Sequence, residues 1–295
     1  MIPWQRTSCV ALSGDQRFYM ASSVADAVAA LRERGVEGVV LAGATWLMRA
    51  ALRNERSDRS YVAISKLEDL RRIDIRPSTI TIGACVTHAE LARAIAHVGS
   101  CRALASAAAH AANPAVREVA TVGGNLCSPG FAASDLTPAL ICLDAQVELE
   151  TPSGIERLPI EQFLQLRDSL PPGWLLRNVA VAQPPRRSTH ARLTLRKAGD
   201  YPVAIVSVAV TLNANGQVDS ARVAVGSVEA RARRWEHVER GMIGRLLDAQ
   251  HAADLAERHA GDFAGRDAVE APGWYREKVL ATVVRRAVAD LQSQL

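Results

Sequence analysis

The chain has 295 residues, of which 48% are hydrophobic and 22% charged, a composition typical of a globular protein with a substantial core. The formal net charge is +4, and no apolar run approaches the roughly 20 residues that span a bilayer. We therefore expect no membrane span. The short basic cluster Arg231, Arg233 and Arg234 lacks interleaved aromatic residues, so we expect a solvated patch and no nucleic-acid partner.

The cysteines are odd in number and widely spaced, without a Cys-x-x-Cys pair. They are Cys9, Cys85, Cys101, Cys127 and Cys142. This pattern predicts neither a disulfide framework nor a set of zinc or iron–sulfur ligands. Residues 1–6 contain no apolar signal core. We therefore expect reduced thiols and a cytoplasmic location, with any iron–sulfur cluster carried by another chain.

A helix, a short strand and a loop of small residues come first. Ser23 is a predicted N-cap with Asp26 three residues on, and Gly35 occupies the position of a C-cap glycine. A short buried strand at 38–42 leads directly into Gly-Ala-Thr-Trp at 43–46. Such a loop allows the backbone to meet a ligand, although an ordinary strand-ending turn has the same pattern.

Short strands and two helices follow. The predicted strands are at 61–64, 73–75 and 79–84. Thr87 is predicted to cap a helix, with Glu90 completing a capping box, and His88 is interpreted as a surface or cap residue. An alanine-rich helix from 104 to 112 is expected to end before Pro114, because proline restricts the residue before it.

A glycine pair, Gly123 and Gly124, stands in Thr-Val-Gly-Gly-Asn at 121–125. Paired glycines accept positive φ and allow close approach, and their amides can form a concavity that suits a pyrophosphate. A tight turn without a ligand has the same pattern. Asp135 closes the next loop, either as a helix cap or as a polar contact to a ligand near Asn125.

The second half is predicted to be a meander followed by helices. A hairpin at 146–158 and a strand at 173–181 precede a proline-containing linker at 183–188. The strands and helices expected beyond it are strands at 191–197, 203–212 and 218–225 and helices at about 234–247, 251–259 and 274–291. Three strands followed by helices predict one sheet with helices on a single face.

Several nucleotide, metal and hydrolase motifs are missing. The sequence has no Gly-x-Gly-x-x-Gly, Walker loop, His-Glu-x-x-His or Gly-x-Ser-x-Gly, and no clustered His, Asp and Glu residues suggest a metal site. If the chain is an enzyme component, its chemistry is expected to come from an organic cofactor held by backbone groups.

Taken in order, the small-residue loops and their flanking motifs resemble one known family. The motifs are at 41–45, 82–91, 113–117, 121–125, 135–140, 196–201 and 221–228. They resemble the FAD-binding medium subunit of molybdenum hydroxylases, the relatives of xanthine dehydrogenase and carbon monoxide dehydrogenase. The match covers nearly the whole chain, and the ordered set is more specific than a single glycine pair.

The resemblance implies an α+β fold with two domains. Residues 1–182 are expected to form a FAD-binding domain of the vanillyl-alcohol-oxidase (PCMH) type, and residues 190–295 a C-terminal domain with a three-stranded antiparallel sheet plus helices. Both loops are expected to bring amides to the FAD pyrophosphate. Asp135 is expected at the ribityl or ribose region, Tyr201 near the isoalloxazine ring, and Leu176 packed against that ring.

The implied cofactor-binding residues are Leu41, Ala42, Gly43, Ala44, Thr45, Trp46, Thr121, Gly123, Gly124, Asn125, Asp135, Leu176 and Tyr201. No catalytic residue and no metal ligand is expected. The implied function is electron transfer through FAD, from a 2Fe–2S small subunit that serves a molybdenum-cofactor large subunit, in a heterotrimer or its dimer. No motif separates NAD, oxygen, a quinone and a carrier protein as the terminal acceptor.

Two positions of the first loop depart from the family's usual Gly-Gly-Thr-Asp, namely Ala44 and Trp46. Ala44 is tolerable if its φ is negative, and otherwise shifts the loop or weakens FAD retention. The Trp46 ring either packs on the flavin or fills space in the apolar core, and we prefer the core position. These departures favour the alternative of a non-flavin interaction subunit. Replacing Gly124 with a bulky residue is expected to reduce FAD binding more than any change at His88.

Overall fold

The computed structural model describes residues 17–56, 59–195 and 201–294. Cys9 and positions 196–200 of one family-like motif lie outside these ranges. A three-stranded parallel sheet comes first, with β1 (Phe18–Met20), β2 (Gly38–Leu41) and β3 (Ser60–Ala63), and β3 lies in its centre. β2 is half-buried instead of buried as predicted, since it borders a cleft.

Helix α1 (Val24–Arg34) packs on this sheet, and its predicted ends are confirmed. The Ser23 side chain accepts a hydrogen bond from the Asp26 N–H at 3.0 Å, and Gly35 ends the helix with φ +54°. The Asp26 carboxylate accepts from the N–H of Ser22 at 2.7 Å. The cap is therefore not the reciprocal box that the spacing suggests.

The second sheet has five strands in the order β4-β5-β8-β6-β7, and every neighbouring pair is antiparallel. Its strands are β4 (Ile73–Ile75), β5 (Thr79–Gly83), β6 (Gln146–Thr151), β7 (Gly154–Pro159) and β8 (Leu175–Ala182). The predicted hairpin is β6 and β7, and the predicted last strand of the first half is β8. The largest apolar core of the N-terminal part lies between this sheet and its helices.

Six helices accompany the second sheet. They are α2 (His88–Ala94), α3 (Arg102–His110), α4 (Pro114–Arg117), α5 (Val122–Cys127), α6 (Leu136–Cys142) and α7 (Ile160–Leu166). The capping box of α2 is confirmed, because Thr87 Oγ1 accepts from the Glu90 N–H at 3.2 Å and the Glu90 carboxylate accepts from the Thr87 N–H at 2.9 Å.

The C-terminal sheet has the order β12-β11-β10-β9 and is antiparallel throughout. Its elements, with the helices that follow, are β9 (Arg187–Leu193), β10 (Ala204–Leu212), β11 (Val218–Gly226), β12 (Arg233–Arg234), α8 (Glu236–Met242), α9 (Ala249–Arg258), α10 (Gly273–Lys278) and α11 (Leu280–Gln292). The three-stranded meander is confirmed, and the two-residue β12 adds a fourth strand beside it. β9 begins inside the predicted linker, which shortens that linker to 183–186.

Helices cover both faces of this sheet, so the expectation of a single covered face is wrong. Helices α8 and α11 pack on one face, with α9 packed on these two helices, and α3 and α6 from the N-terminal half pack on the other. The sequence carries the reason, because residues 204–210 of β10 are buried without alternation. This run is apolar except for Ser207, and a nearly continuous apolar run is typical of a strand that is covered on both sides.

The basic cluster lies at the surface, as we expected, and each of its arginines is paired with a carboxylate; the side chains of Arg231 and Arg233 are 52% and 42% exposed. Arg231 lies 2.9 Å from Asp168, Arg233 lies 2.7 Å from Glu229, and Arg234 pairs with Glu239. All four cysteines within the described residues are free thiols. Among the described residues, no helix is long and apolar enough to cross a membrane.

Candidate functional site

A cleft of about 460 Å³ is lined by residues from the end of β2, the start of α5, and strands β8 and β9. Its size is that of a typical small-molecule site. Of the thirteen predicted cofactor-binding residues, all except Leu41 line this cleft. Leu41 ends β2, and its carbonyl accepts a hydrogen bond from the Ile64 N–H at 3.0 Å.

The first loop, residues 42–46, presents a row of unbonded amides. Within the described residues, no acceptor bonds the backbone N–H groups of Gly43, Ala44, Thr45 or Trp46. Successive free amides in a turn form a concave donor surface that suits an anion. The loop touches the segment before α5, because a Cβ on Gly43 would lie 1.8 Å from the Val119 carbonyl oxygen.

Ala44 does not have the negative φ that would make its methyl group harmless. Its φ is +59°, in the left-handed region. A non-glycine residue there carries about 1–2 kcal/mol of strain. The alanine is therefore accommodated at an energetic cost, while the turn that exposes the amides is retained.

The second loop, residues 121–125, opens helix α5 and is not a tight turn. The Gly123 N–H donates to the Ala84 carbonyl at 2.7 Å, and the Gly124 N–H donates to Thr121 Oγ1 at 3.1 Å. Neither glycine has a left-handed φ. Gly123 is needed for space, since a Cβ there would lie 2.9 Å from Ala84. The amides that were expected to meet a pyrophosphate are therefore already bonded inside the protein.

Three aromatic rings follow one another along the cleft. Trp46 and Phe131 have ring centroids 4.6 Å apart, and Phe131 meets Tyr201 edge-on at 5.8 Å. The Arg53 guanidinium lies 3.9 Å from the Trp46 ring centroid, and Arg49 donates to the Tyr201 hydroxyl at 2.6 Å. Trp46 thus lines the cleft half-buried, and the preference for a core position is wrong.

Asp135 is buried, and its carboxylate faces the C-terminal sheet. One oxygen lies 3.0 Å from Arg192 Nε and 3.3 Å from His190 Nε2. The Asp135 side chain makes no capping bond to α6, so that interpretation is wrong. Ser134 takes the capping role, since its hydroxyl accepts from the Thr137 N–H at 3.2 Å.

His88 is not a surface residue, because only 2% of it is exposed, and it is one of the residues that line the cleft. Burial lowers the pKa of His88 to about 4, and the nearby Asp135 charge only partly opposes this shift. Both ring nitrogens are buried, and a contact with the Thr121 backbone also opposes the shift by raising this pKa. The helical spacing could have predicted this burial, because His88 lies on the same helix face as the buried Leu91 and Ile95.

Sequence reasoning also missed Phe131 and Arg192. Alternation along β9 directs Ser188, His190 and Arg192 toward the N-terminal half, where Ser188 accepts from the Ala103 N–H at 3.0 Å. The strand was predicted to begin at residue 191. A predicted start at residue 187 would have placed these three side chains on one face of the strand by alternation. No local signal in the sequence indicates that Phe131 enters the cleft.

His237, His259 and Asp262 form a cluster apart from the cleft, with potential ligand atoms within 4.8 Å of one another. The two imidazole rings stack at 4.7 Å with an interplanar angle of 14°. Lone pairs of ring nitrogens lie in the ring plane, so nearly parallel rings do not aim them at one ion. His237 instead shares a hydrogen bond of 2.7 Å with Asp262.

Two family models match the chain. The model described as the FAD binding domain in molybdopterin dehydrogenase matches residues 13–184, and the CO dehydrogenase flavoprotein C-terminal domain matches residues 190–291. The chain belongs to the family of FAD-binding subunits of molybdopterin dehydrogenases. The predicted family, α+β fold and FAD cofactor are thereby confirmed.

Relatives of this flavin subunit match along nearly their whole length. The chain is 30% identical to the 6-hydroxypseudooxynicotine dehydrogenase complex subunit alpha of Paenarthrobacter nicotinovorans, covering 92% of this chain and 93% of the relative. It is 28% identical to the carbon monoxide dehydrogenase medium chain of Afipia carboxidovorans, covering 94% of this chain and 96% of the relative. The solved structure of reconstituted CO dehydrogenase from Oligotropha carboxidovorans matches with a TM-score of 0.84 and 25% identity, covering 96% of this chain and 100% of the matched chain.

The chain is thus a FAD-dependent oxidoreductase component, and the residues of its cleft fit that cofactor. The free amides of residues 43–46 provide donors for a diphosphate. Gly43 leaves no room for a side chain between the first loop and Val119.

Proposed function

We propose that this chain is the flavin subunit through which a molybdenum hydroxylase passes electrons from a 2Fe–2S partner subunit to a terminal acceptor. FAD, when bound, supplies a carrier that exchanges electrons singly or in pairs. The observation that carries the proposal is the row of unbonded amides at residues 43–46, at the edge of a cleft that also holds Trp46, Phe131 and Tyr201.

In this proposal the protein binds and orients the cofactor and moves no proton itself. The amides of residues 43–46 hold the diphosphate, and Asp135 accepts hydrogen bonds from sugar hydroxyls. Leu176 and Tyr201 pack against the flavin ring. Thr121, Gly123 and Asn125 shape the opposite wall, with Gly123 allowing α5 to approach Ala84.

We further propose the partners and the domain division. The partners are a molybdenum-cofactor large subunit and a 2Fe–2S small subunit, in a heterotrimer or its dimer, and they are supported by relatives named as a complex subunit and a medium chain. The domains are residues 1–182 and 190–295. A cytoplasmic location is supported by the free thiols of Cys85, Cys101, Cys127 and Cys142.

Purification and reconstitution test the proposal. We expect the full-length chain to copurify with two other chains, and its deflavinated form to take up one FAD per chain with a flavin absorption spectrum. A colourless chain that takes up no FAD would contradict the flavin role and support a non-flavin interaction subunit, the candidate that the strained Ala44 favours. Full FAD uptake without any copurifying chain would contradict the proposed partners.

A further inference from the structure

Ser227 is a buried residue in a strained backbone conformation. It follows β11 directly and lies inside the family-like motif at 221–228. Its φ is +65°, in the left-handed region, where a glycine would be unstrained and a serine is not. Strained residues persist where the surrounding structure holds them, and they cluster at functional sites. We therefore expect the Ser227 hydroxyl to make contacts that offset the strain.

The Ser227 hydroxyl uses all of its hydrogen-bonding capacity. It donates to the Pro202 carbonyl. It also accepts from Arg276 Nη1 and from Arg266 Nη2, both at 3.3 Å. One donor and two acceptor positions are the full capacity of a hydroxyl group. Alanine at position 227 would therefore take away the donor that the Pro202 carbonyl uses.

The backbone that follows Tyr201 is held at the next residue as well. The fully buried Arg276 donates to the Val203 carbonyl at 2.7 Å, and the Val203 N–H donates to the Leu193 carbonyl at 2.7 Å. Hydrogen bonds thus fix two consecutive residues, 202 and 203, directly after the tyrosine. The position of the Tyr201 ring depends on this stretch of backbone.

The Ser227 backbone reaches the other aromatic segment of the cleft. Its N–H donates to the Ala132 carbonyl at 3.1 Å, one residue after Phe131. The rings of Phe131 and Tyr201 meet edge-on at 5.8 Å inside the cleft, whereas Ser227 is not among the residues that line it. One residue outside the cleft therefore connects the two segments that carry these rings.

We propose that Ser227 is a positioning residue for the flavin ring. Its hydroxyl fixes the backbone after Tyr201 and thereby places the Tyr201 ring against the bound cofactor. The inference rests on the proposed flavin function, in which Tyr201 packs on that ring. It concerns the flavin end of the cofactor, since the diphosphate is assigned to the amides of residues 43–46.

The test titrates the deflavinated full-length chain with FAD and, separately, with ADP, which contains a diphosphate and a ribose but no flavin ring. Ser227→Ala removes the hydroxyl and keeps the N–H that donates to Ala132. Ser227→Gly also removes the hydroxyl but relieves the left-handed strain, so it replaces Ser227→Ala if that variant does not fold.

Ser188→Ala is the matched control. Ser188 is equally buried, its hydroxyl donates to the Ser100 carbonyl at 3.1 Å, and it is not among the residues that line the cleft. The control therefore removes a comparable buried hydroxyl from a place that does not hold the Tyr201 segment. Urea unfolding of each apo variant accompanies the titrations.

We expect Ser227→Ala and Ser227→Gly to bind FAD about fivefold more weakly than the wild type and ADP within about twofold of it. Ser188→Ala should bind both molecules like the wild type, although its free energy of unfolding falls. Because Ser227 acts through Tyr201, a double-mutant cycle should show the coupling. Adding Ser227→Ala to Tyr201→Ala should weaken FAD binding by less than about twofold.

Different results would overturn the inference and the proposed function. If Ser227→Ala binds FAD like the wild type, or weakens FAD and ADP binding equally, Ser227 does not position the flavin ring, although the proposed flavin function stands. The same conclusion follows if Ser227→Ala weakens FAD binding as strongly in Tyr201→Ala as in the wild type. If the wild type binds neither molecule, the proposed function fails and this inference fails with it.

Discussion

The two loops that meet at the cleft differ in a way that their sequences do not suggest. The first loop departs from the family pattern at Ala44 and Trp46, yet no acceptor in the described part of the chain bonds the N–H groups of residues 43–46. The second loop keeps Thr-Val-Gly-Gly-Asn, yet the N–H groups of Gly123 and Gly124 are bonded within the protein. An intact motif is therefore no measure of how many donors a loop can offer.

The division of roles follows from where each loop lies. The first loop leaves a half-buried strand and turns at a left-handed residue before the next helical turn begins. Its residues line the cleft, and their N–H groups have no acceptor among the described residues. The second loop is held against the segment that follows β5, because the carbonyls of Ala84 and Val86 accept hydrogen bonds from its N–H groups, and there it starts a helix. We infer that the first loop binds the anion and that the second supports the wall.

The largest effect should come from Gly43→Ala. The new Cβ would lie 1.8 Å from the Val119 carbonyl oxygen, so the first loop must move away from the second. We expect the FAD affinity to fall by about 100-fold, or about 3 kcal/mol. Equilibrium titration of the deflavinated chain measures this loss.

Gly124→Ala is the matched control for that change. Its Cβ would have one close neighbour, Thr121 Oγ1 at 3.0 Å, and we expect less than a tenfold loss of FAD affinity. The sequence-based expectation that a bulky residue at Gly124 reduces FAD binding more than any change at His88 stays a prediction. A larger loss at Gly124 than at Gly43 would show that the second loop is the anion site.

The next effect is a pH dependence of stability that arises from His88. Its folded pKa of about 4 lies below the usual 6.5, so the unfolded chain binds the proton more readily between these values. Lowering the pH from 7 to 5 should therefore reduce the free energy of unfolding by about 2 kcal/mol more in the wild type than in His88→Phe. Urea unfolding of both apo proteins at the two pH values measures the difference. Equal losses would contradict the neutral, buried imidazole.

Thr121→Ala tests the supporting role of the second loop. Removing the hydroxyl that accepts from the Gly124 N–H should lower the free energy of unfolding by about 1 kcal/mol. FAD affinity should change by less than threefold, because the anion donors lie on the other loop. Thr121→Ser retains the cap and should retain the stability. A loss of affinity without a loss of stability would argue that Thr121 contacts the cofactor.

The smallest effect should come from Ala44→Gly. Glycine adopts the observed φ of +59° without strain but gains freedom in the unfolded chain, so the two terms largely offset each other. We expect a net stabilisation of about 0.5 kcal/mol with FAD affinity equal to or above that of the wild type. Chemical denaturation and flavin titration measure the two quantities. A destabilised variant would contradict the left-handed conformation.

Local rules predicted the capped helices and the β6–β7 hairpin, because their signals lie within a few residues. Thr87 and Glu90 meet within one helical turn. The helix at Gly123 and Gly124 was not predictable in this way. Its formation depends on acceptors in the segment 84–86, about 40 residues away, and these override the low helix propensity of glycine.

Site residues were predicted where a motif repeats a family pattern and missed where only tertiary structure brings them in. Twelve of thirteen motif-derived positions line the cleft, whereas Arg192 and Phe131 reach it through strand register and a loop. His88 is the instructive case, since its helical phase indicated burial but its place beside a cap suggested the surface. The helical spacing predicted the burial of His88 better than its position beside the cap did.

Backbone amide chemical shifts test the comparison of the two loops most directly. The deflavinated full-length chain, labelled with ¹⁵N-glycine and ¹⁵N-alanine, would be titrated with ADP, with the Gly124 signal assigned through Gly124→Ala. We predict that the amide signals of Gly43 and Ala44 shift strongly downfield, while those of Gly123 and Gly124 stay nearly in place. Large shifts at Gly123 and Gly124, with Gly43 and Ala44 unmoved, would contradict it.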